Sequence, residues 1–320
     1  KKMVNIYCNL RENFKKRKNF KIRESIYLLL LAVVFFILLA VCSGNSFLLI
    51  VFLGISILLF FFGIYENTHL EVRDLIIESD KIPESFENMK IIFFADIQLD
   101  YFFAKNRKRI KKIIDTINKT EPDIILFGGD FINKARGTTA VFQELKSLKA
   151  KKDIFMVYGN HDYYDFERIS KMARELGIIE LRNKNVLVSN FEESIVIAGI
   201  DDYRRGKPDI EETFSGIKEE FTILLCHNPD YFEEMPQEYK KRTGITLSGH
   251  THGGQINLFG FAPFIPSKYG QKYRYGLKQF DGSKIYITSG IGAVTMPLRF
   301  LIRPEIINLK LRKKTETVLK

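Results

Sequence analysis

The chain has 320 residues and a formal net charge of +11, but the excess is unevenly spread. Residues 1–24 carry +7, residues 25–65 carry no charged side chain, and the remainder carries +4, too little to point to nucleic-acid binding. Cys8, Cys42 and Cys226 lie far apart with no CxxC, so neither a thiolate metal site nor a disulfide framework is indicated.

Ile26–Cys42 and Phe47–Tyr65 are uncharged apolar runs of 17 and 19 residues. Each is long enough to cross a hydrocarbon core as a helix. The polar link Ser43-Gly-Asn-Ser46 predicts a tight transmembrane hairpin; a cleaved signal peptide would not be followed at once by a second apolar run. A buried hairpin in a soluble domain is the alternative. Lys15, Lys16, Arg17, Lys18, Lys21 and Arg23 place the N-terminus in the cytoplasm by the positive-inside rule, and two crossings return the chain to that side. The expected organisation is a basic cytoplasmic arm over 1–24, two transmembrane helices over 25–66, and a catalytic domain over 67–320. The bilayer, with its anionic headgroups facing the arm, is the expected partner.

Beyond the apolar runs, short apolar stretches alternate with helical patterns. Lys90–Ala95, Asp123–Phe127 and Ile154–Tyr158 read as buried strands. Ile110, Ile113, Ile114 and Ile117 repeat at helical spacing, as do Val141, Phe142, Leu145 and Leu148, and then Phe166, Ile169, Met172, Ala173 and Leu176. This β-α-β-α-β-α order implies a parallel or mixed sheet with helices packed on it. Further strands are predicted at Val186–Val188, Ile195–Gly199, Phe221–Cys226, Ile245–Leu247 and Lys284–Thr288. Two facing sheets with helices outside accommodate both halves.

The strands end alike. Asp96, Asp130, the Asn160-His161-Asp162 run, His227-Asn228, and His250 with His252 each follow an apolar run. Taken singly, Asp96 reads as a turn or helix cap, Asn160 as a turn residue and His227 as a half-buried histidine. Ligands in such sheets bind at the strands' carboxyl ends, so the coincidence of five points to a metal site. Four of the chain's five histidines belong to this set; His69 reads as a surface or interfacial residue. The fullest stretch is Leu247–Gln255, LSGHTHGGQ, where His250 and His252 lie two apart among glycines that let backbone approach a charged ligand.

GGD (128–130), GNHD (159–162), the His227 strand end and GHTH (249–252) resemble the calcineurin-like metallophosphoesterase family. LCHNPD (225–230), FIPSKYG (264–270) and SGIGAVTMPLRF (289–300) resemble its membrane-associated branch, which includes YkuE-like, YaeI-like and LpxG-like phosphoesterases. The resemblance covers residues 72–309 and implies a four-layer α-β-β-α sandwich with two divalent metal ions. By the family's motif, Asp96, Asp130 and His252 hold the first metal, Asp130 bridges, and Asn160, His227 and His250 hold the second. His161 is implied near the leaving group, where it could act as general acid. The family's first motif is Asp-x-His, whereas this chain has Asp96-Ile97-Gln98. A neutral amide oxygen at Gln98 is a weaker, harder donor than imidazole, so among Mn, Fe and Zn, Mn is favoured. A metal-binding pseudoenzyme or membrane adaptor is the alternative that this substitution raises.

Ile256–Pro266, INLFGFAPFIP, is unusually apolar beside a metal centre. Phe259, Phe261 and Phe264 either plug the core or line an acyl-chain groove or membrane-contacting lip. With a membrane anchor on the same chain, the expected substrate is a lipid-linked or small phosphodiester or pyrophosphate. The resemblance implies a UDP-2,3-diacylglucosamine-like glycolipid precursor; a cyclic-nucleotide or nucleic-acid phosphodiesterase is the other enzymatic reading, and a nucleic-acid partner is not expected. Arg299 and the Asp201-Asp202 pair are expected substrate contacts, with a surface or loop-capping role as the alternative.

Overall fold

The computed structural model describes residues 46–98 and 107–314, together with Val41 and Gly44. The chain divides into two compact units, Lys1–Gly63 and Ile64–Lys320. Helix α1 (Ser46–Thr68) has 23 residues and is long and apolar enough to cross a membrane. Phe47, Ile50, Leu58 and Phe61 are exposed along it, so the helix is apolar on every side. The other expected span, Ile26–Cys42, apart from Val41, and the basic arm lie outside the described residues.

The second unit contains two six-stranded sheets. The first has the order β1 (Glu71–Ser79), β12 (Glu305–Lys313), β2 (Ile91–Phe94), β3 (Ile124–Phe127), β4 (Ile154–Met156), β5 (Ile179–Glu180). The second has the order β10 (Gly276–Phe280), β11 (Ser283–Ile287), β9 (Ile245–Ser248), β8 (Thr222–Leu225), β7 (Glu193–Gly199), β6 (Lys184–Asn190). Strands β2, β3 and β4 run parallel, as do β7, β8 and β9, so each set points its carboxyl ends one way.

Three apolar clusters separate four layers. Phe93, Leu126, Phe155 and Val157 of the first sheet meet Ile197, Ile223, Leu225 and Leu247 of the second in the central core. The opposite face of the first sheet, with Ile92, Phe94, Ile125 and Phe127, is covered by α2 (Arg107–Lys119), α3 (Thr138–Leu145) and α4 (Phe166–Glu175). Tyr231 and Phe232, from a short helix (Tyr231–Glu234), help cover the outer face of the second sheet through Leu224 and Ile285. The α-β-β-α sandwich expected from the resemblance is thus the observed fold. Strands β2, β3, β8 and β9 are buried throughout, which explains their unbroken apolar runs.

Four strands were not anticipated from the sequence: β1, β5, β10 and β12. In β1 only Leu75 and Ile77 are buried, because it is an edge strand whose other side chains meet solvent. Its partner β12 joins it in parallel from Glu71↔Glu305 to Ser79↔Lys313, a pairing of segments more than 200 residues apart.

Candidate metal centre

The expected ligands gather where the two sheets' strand ends meet. β2 leads into Asp96 and β3 into Asp130; the turn after β4 carries Asn160 and His161. β8 leads into His227, and β9 into His250 and His252. Backbone contacts stitch the first sheet's ends together: Asp96 N–H donates to the Gly129 carbonyl at 2.9 Å, and Gln98 N–H to the Asp130 carbonyl at 3.3 Å. Contacts across the seam join the sheets. His250 N–H donates to both Asp96 oxygens at 3.1 and 3.0 Å, and His227 Nδ1–H donates to the Gly128 carbonyl at 2.8 Å.

This convergence strains the backbone. Asp96 (φ 56°), Gln98 (22°), Asp130 (60°), His250 (72°) and His252 (51°) all lie in the left-handed region that non-glycine residues avoid. Two glycines make the close approaches possible: a Cβ on Gly159 would collide with the Asp130 carboxylate, and one on Gly249 with that of Asp96.

Donor atoms of Asp130, His227 and His250 lie within 4.8 Å of one another, all buried. Asp130 is central. Its Oδ1 accepts the His161 backbone N–H at 2.8 Å, while Oδ2 lies 3.3 Å from His227 Nε2 and accepts from the Gln98 amide. Gln98 Oε1 in turn lies 2.9 Å from His252 Nε2, which is 3.8 Å from Asp96 Oδ1. Gln98 therefore sits inside the cluster at 1% exposure, linking the bridging carboxylate to a histidine.

The tautomers follow from the partners. His227 Nδ1 and His250 Nε2 face the carbonyls of Gly128 and Pro266, which only accept, so both nitrogens carry protons and, in the neutral rings, the lone pairs sit on His227 Nε2 and His250 Nδ1. His227 Nε2 and Asn160 Oδ1 are buried without a hydrogen-bond partner in the protein. Orphaned buried atoms of this kind are costly, and both, with the His227 ring neutral, are lone-pair donors a divalent cation would satisfy. The donor set therefore fits two cations sharing Asp130: Asp96, His252 and Gln98 on one side, and Asn160, His227 and His250 on the other.

Charge is tuned to the same end. Burial alone would lower His227, but the Asp130, Asp96 and Asp202 carboxylates outweigh it and raise its pKa to about 10. Burial and the nearby Arg299 charge push His252 down to about 3, so it is neutral and ready to ligate at any physiological pH. Since a ligand imidazole must be neutral, cation binding at pH 7.5 displaces the His227 proton. Adding Mn²⁺ to chelator-stripped protein in weak buffer should release about one proton from this site, and affinity should rise about tenfold per pH unit up to pH 10. A pH-stat titration showing no release would contradict the assignment of His227 as a ligand.

Residues that the sequence reading did not single out hold the ligands in place. Asp162, fully buried, accepts the backbone N–H groups of Gly159 at 2.9 Å and of Asp130 and Phe131 at 2.8 Å. It thereby ties the turn bearing Asn160 and His161 to the bridging residue; its place in GNHD was the only signal. Asp230 accepts from Ser267 and from Lys268 N–H, fixing the loop whose Pro266 carbonyl orients His250.

The four expected substrate contacts divide. Arg299 is fully buried and donates through Nη2 to the carbonyls of Ser289, Gly290 and Gly292. Gly292 N–H caps the Asp96 carbonyl at 2.6 Å, so Arg299 steadies the loop behind a ligand and presents no surface to solvent. Asp202 is buried and caps a turn through Arg204 and Arg205 N–H, the loop-capping alternative. Phe259, 97% exposed, and Phe261, 57% exposed, do not plug the core; Phe264 is half-buried. His69 is exposed and bonds through Nδ1 to the Tyr65 carbonyl, away from the cluster.

A sandwich of two sheets presenting carboxylate, amide and imidazole donors around a bridging aspartate defines a metal-dependent phosphoesterase. Residues 89–254 match the model of the calcineurin-like phosphoesterase family, to which this chain belongs, and the family uses a dinuclear divalent metal centre. The uncharacterized metallophosphoesterase YkuE of Bacillus subtilis is 37% identical over 251 residues, covering 76% of this chain and 86% of that protein. A Danio rerio transmembrane protein with a metallophosphoesterase domain is 28% identical over 290 residues, covering 86% of this chain and 65% of that longer protein. A crystal structure of a dimetal phosphatase from Danio rerio aligns over 65% of this chain and 89% of its own, with 13% identity and a TM-score of 0.45.

Proposed function

We propose that the chain is a membrane-anchored phosphoesterase that hydrolyses a lipid-linked phosphodiester or pyrophosphate, with a UDP-2,3-diacylglucosamine-like glycolipid as the leading substrate. The observation that carries this reading is the apolar loop beginning four residues after His252, which leaves Phe259 and Phe261 exposed shortly after a candidate ligand in the chain. The α1 helix supports anchoring, and the basic arm supports a cytoplasmic orientation by the positive-inside rule.

When bound, two divalent cations would supply Lewis-acid stabilisation of the phosphoryl oxygens and lower the pKa of an attacking water. The chain's residues supply the rest. Asp130 holds the two sides of the donor set in register. His161 is held by its backbone N–H on Asp130 and by Nδ1–H donation to the Asn133 carbonyl at 3.0 Å, which leaves Nε2 as the nitrogen that, in the imidazolium form, would give a proton to the departing oxygen. The buried Asp162 and Arg299 fix the loops on which the ligands stand.

Manganese is the proposed metal because Gln98 offers an amide oxygen where imidazole would favour zinc. Replacing Gln98 with histidine should raise zinc affinity by about tenfold relative to manganese. Competition titrations giving an unchanged ratio would remove Gln98 from the metal's surroundings. For function, detergent-solubilised full-length protein is assayed with Mn²⁺ on UDP-2,3-diacylglucosamine, on a cyclic nucleotide and on bis-p-nitrophenyl phosphate. Preference for the glycolipid supports the proposal, and preference for the cyclic nucleotide refutes its substrate. Silence on all three at saturating metal leaves a metal-binding adaptor.

A further inference from the structure

We propose that the end of α1, the loops 256–261 and 294–301, and the basic helix α2 form one face that docks onto the surface of an anionic bilayer. The inference rests on the reading that α1 spans a membrane, and adds a second, monotopic contact made by the catalytic unit. Its hub is Asn67, in the last turn of α1 and within that unit, two residues after the apolar run ends at Tyr65. Asn67 is 1% exposed; its Nδ2 donates to the Pro297 carbonyl at 3.0 Å, and its backbone carbonyl accepts from Arg109 Nη2 at 2.7 Å. Beside it, buried Glu66 pairs with Arg303 at 2.7 Å. The polar end of the apolar helix is thus gripped by a loop on one side and by α2 on the other.

On the loop side, the apolar tips are rigidly connected to that grip. Gln255 donates through Nε2 to the Val294 and Met296 carbonyls at 3.0 and 3.1 Å and accepts from Val294 N–H at 2.8 Å. Asn257 N–H donates to the Phe300 carbonyl at 2.8 Å. The two loops these bonds join expose Leu258, Phe259, Phe261, Met296 and Leu301. On the other side, α2 buries its isoleucines and exposes Lys108, Lys111 and Lys112 in its first two turns.

The occupant follows from this arrangement. A residue bonded to the end of a membrane span lies at the interface, where apolar tips enter the acyl boundary and lysines meet anionic headgroups. Because loop 256–261 begins four residues after His252, docking would bring the metal centre toward the headgroup plane, where a lipid-linked phosphate resides.

The chain contains no tryptophan, so one introduced by substitution is a unique reporter. Full-length Phe259→Trp is reconstituted into phosphatidylcholine vesicles with and without phosphatidylglycerol, beside Phe191→Trp, an equally bare site in the turn between β6 and β7. The expected result is blue-shifted emission from Phe259→Trp, quenched several-fold more by acyl-brominated lipid than that of Phe191→Trp, with iodide showing the reverse. Phosphatidylglycerol should deepen the bromolipid quenching, and changing Lys108, Lys111 and Lys112 to glutamine should abolish that gain. Iodide quenching equal at both sites overturns the proposal, as does a blue shift indifferent to bromolipid, which would assign the face to a second copy of the chain. Alkaline carbonate extraction separates the two readings: release of the chain refutes the span itself, whereas retention with an iodide-accessible Phe259→Trp refutes only the docking face.

Discussion

Replacing Asp130 with asparagine is expected to abolish phosphoesterase turnover while leaving the fold intact. The change is isosteric, and the new side chain still offers an oxygen to the His161 N–H now bonded to Oδ1 at 2.8 Å. The other oxygen becomes an amide nitrogen, facing the Gln98 amide and the His227 ring 3.3 Å away. A misplaced donor there costs about 1–3 kcal/mol, well inside a domain's stability of roughly 5–15 kcal/mol. The loss to catalysis is larger, because among the described residues the Asp130 carboxylate is the ligand placed to hold both sides of the donor set. If it supports several kcal/mol of transition-state stabilisation, kcat falls by about 10³-fold or more. Hydrolysis of bis-p-nitrophenyl phosphate with circular dichroism on the same sample reads both parts. Turnover within tenfold of the parent would mean that Asp130 does not bridge.

The second large effect is expected at a residue that touches no metal. Asp162→Ala removes the acceptor for three backbone N–H groups, those of Gly159, Asp130 and Phe131, in a fully buried site. Each orphaned donor costs about 1–3 kcal/mol, and water entering the vacated space offsets part of it. A net loss of about 3–5 kcal/mol lowers the melting temperature by roughly 10 °C for a domain of this size. The turn carrying Asn160 and His161 loses its tie to Asp130 with it, so metal affinity should fall as well. Asp162→Asn keeps one acceptor oxygen and should fall between the two. A melting temperature unchanged in the alanine variant would show that the turn is held by something else.

The centre of the molecule was legible in the sequence for a physical reason. Strands buried on both faces read as unbroken apolar runs, and a polar residue ending such a run at Asp96, Asp130, His227 or His250 stands out against it. What escaped notice had weaker local signals. The edge strand β1 buries only Leu75 and Ile77, and its pairing with β12 is a contact between distant segments that no local pattern encodes. Phe259 and Phe261 have the composition of core residues, yet turn outward on a loop tied back to residues 294–300. Arg299 was expected at the substrate because it lies in a stretch resembling the family, whereas it is fully buried against the carbonyls around Gly290. Asp162 was hidden by its neighbours: beside Asn160 and His161, nothing in GNHD distinguishes a ligand from the residue that positions one.

Six side chains from five strand ends meeting around two cations is the claim on which the function depends. Anomalous diffraction from crystals of manganese-loaded protein tests it directly. Two manganese peaks should flank the Asp130 carboxylate, one beside Asp96 and His252 and the other beside Asn160, His227 and His250. A manganese-loaded crystal with no peak at Asp130, or with peaks only on the surface, would contradict the account.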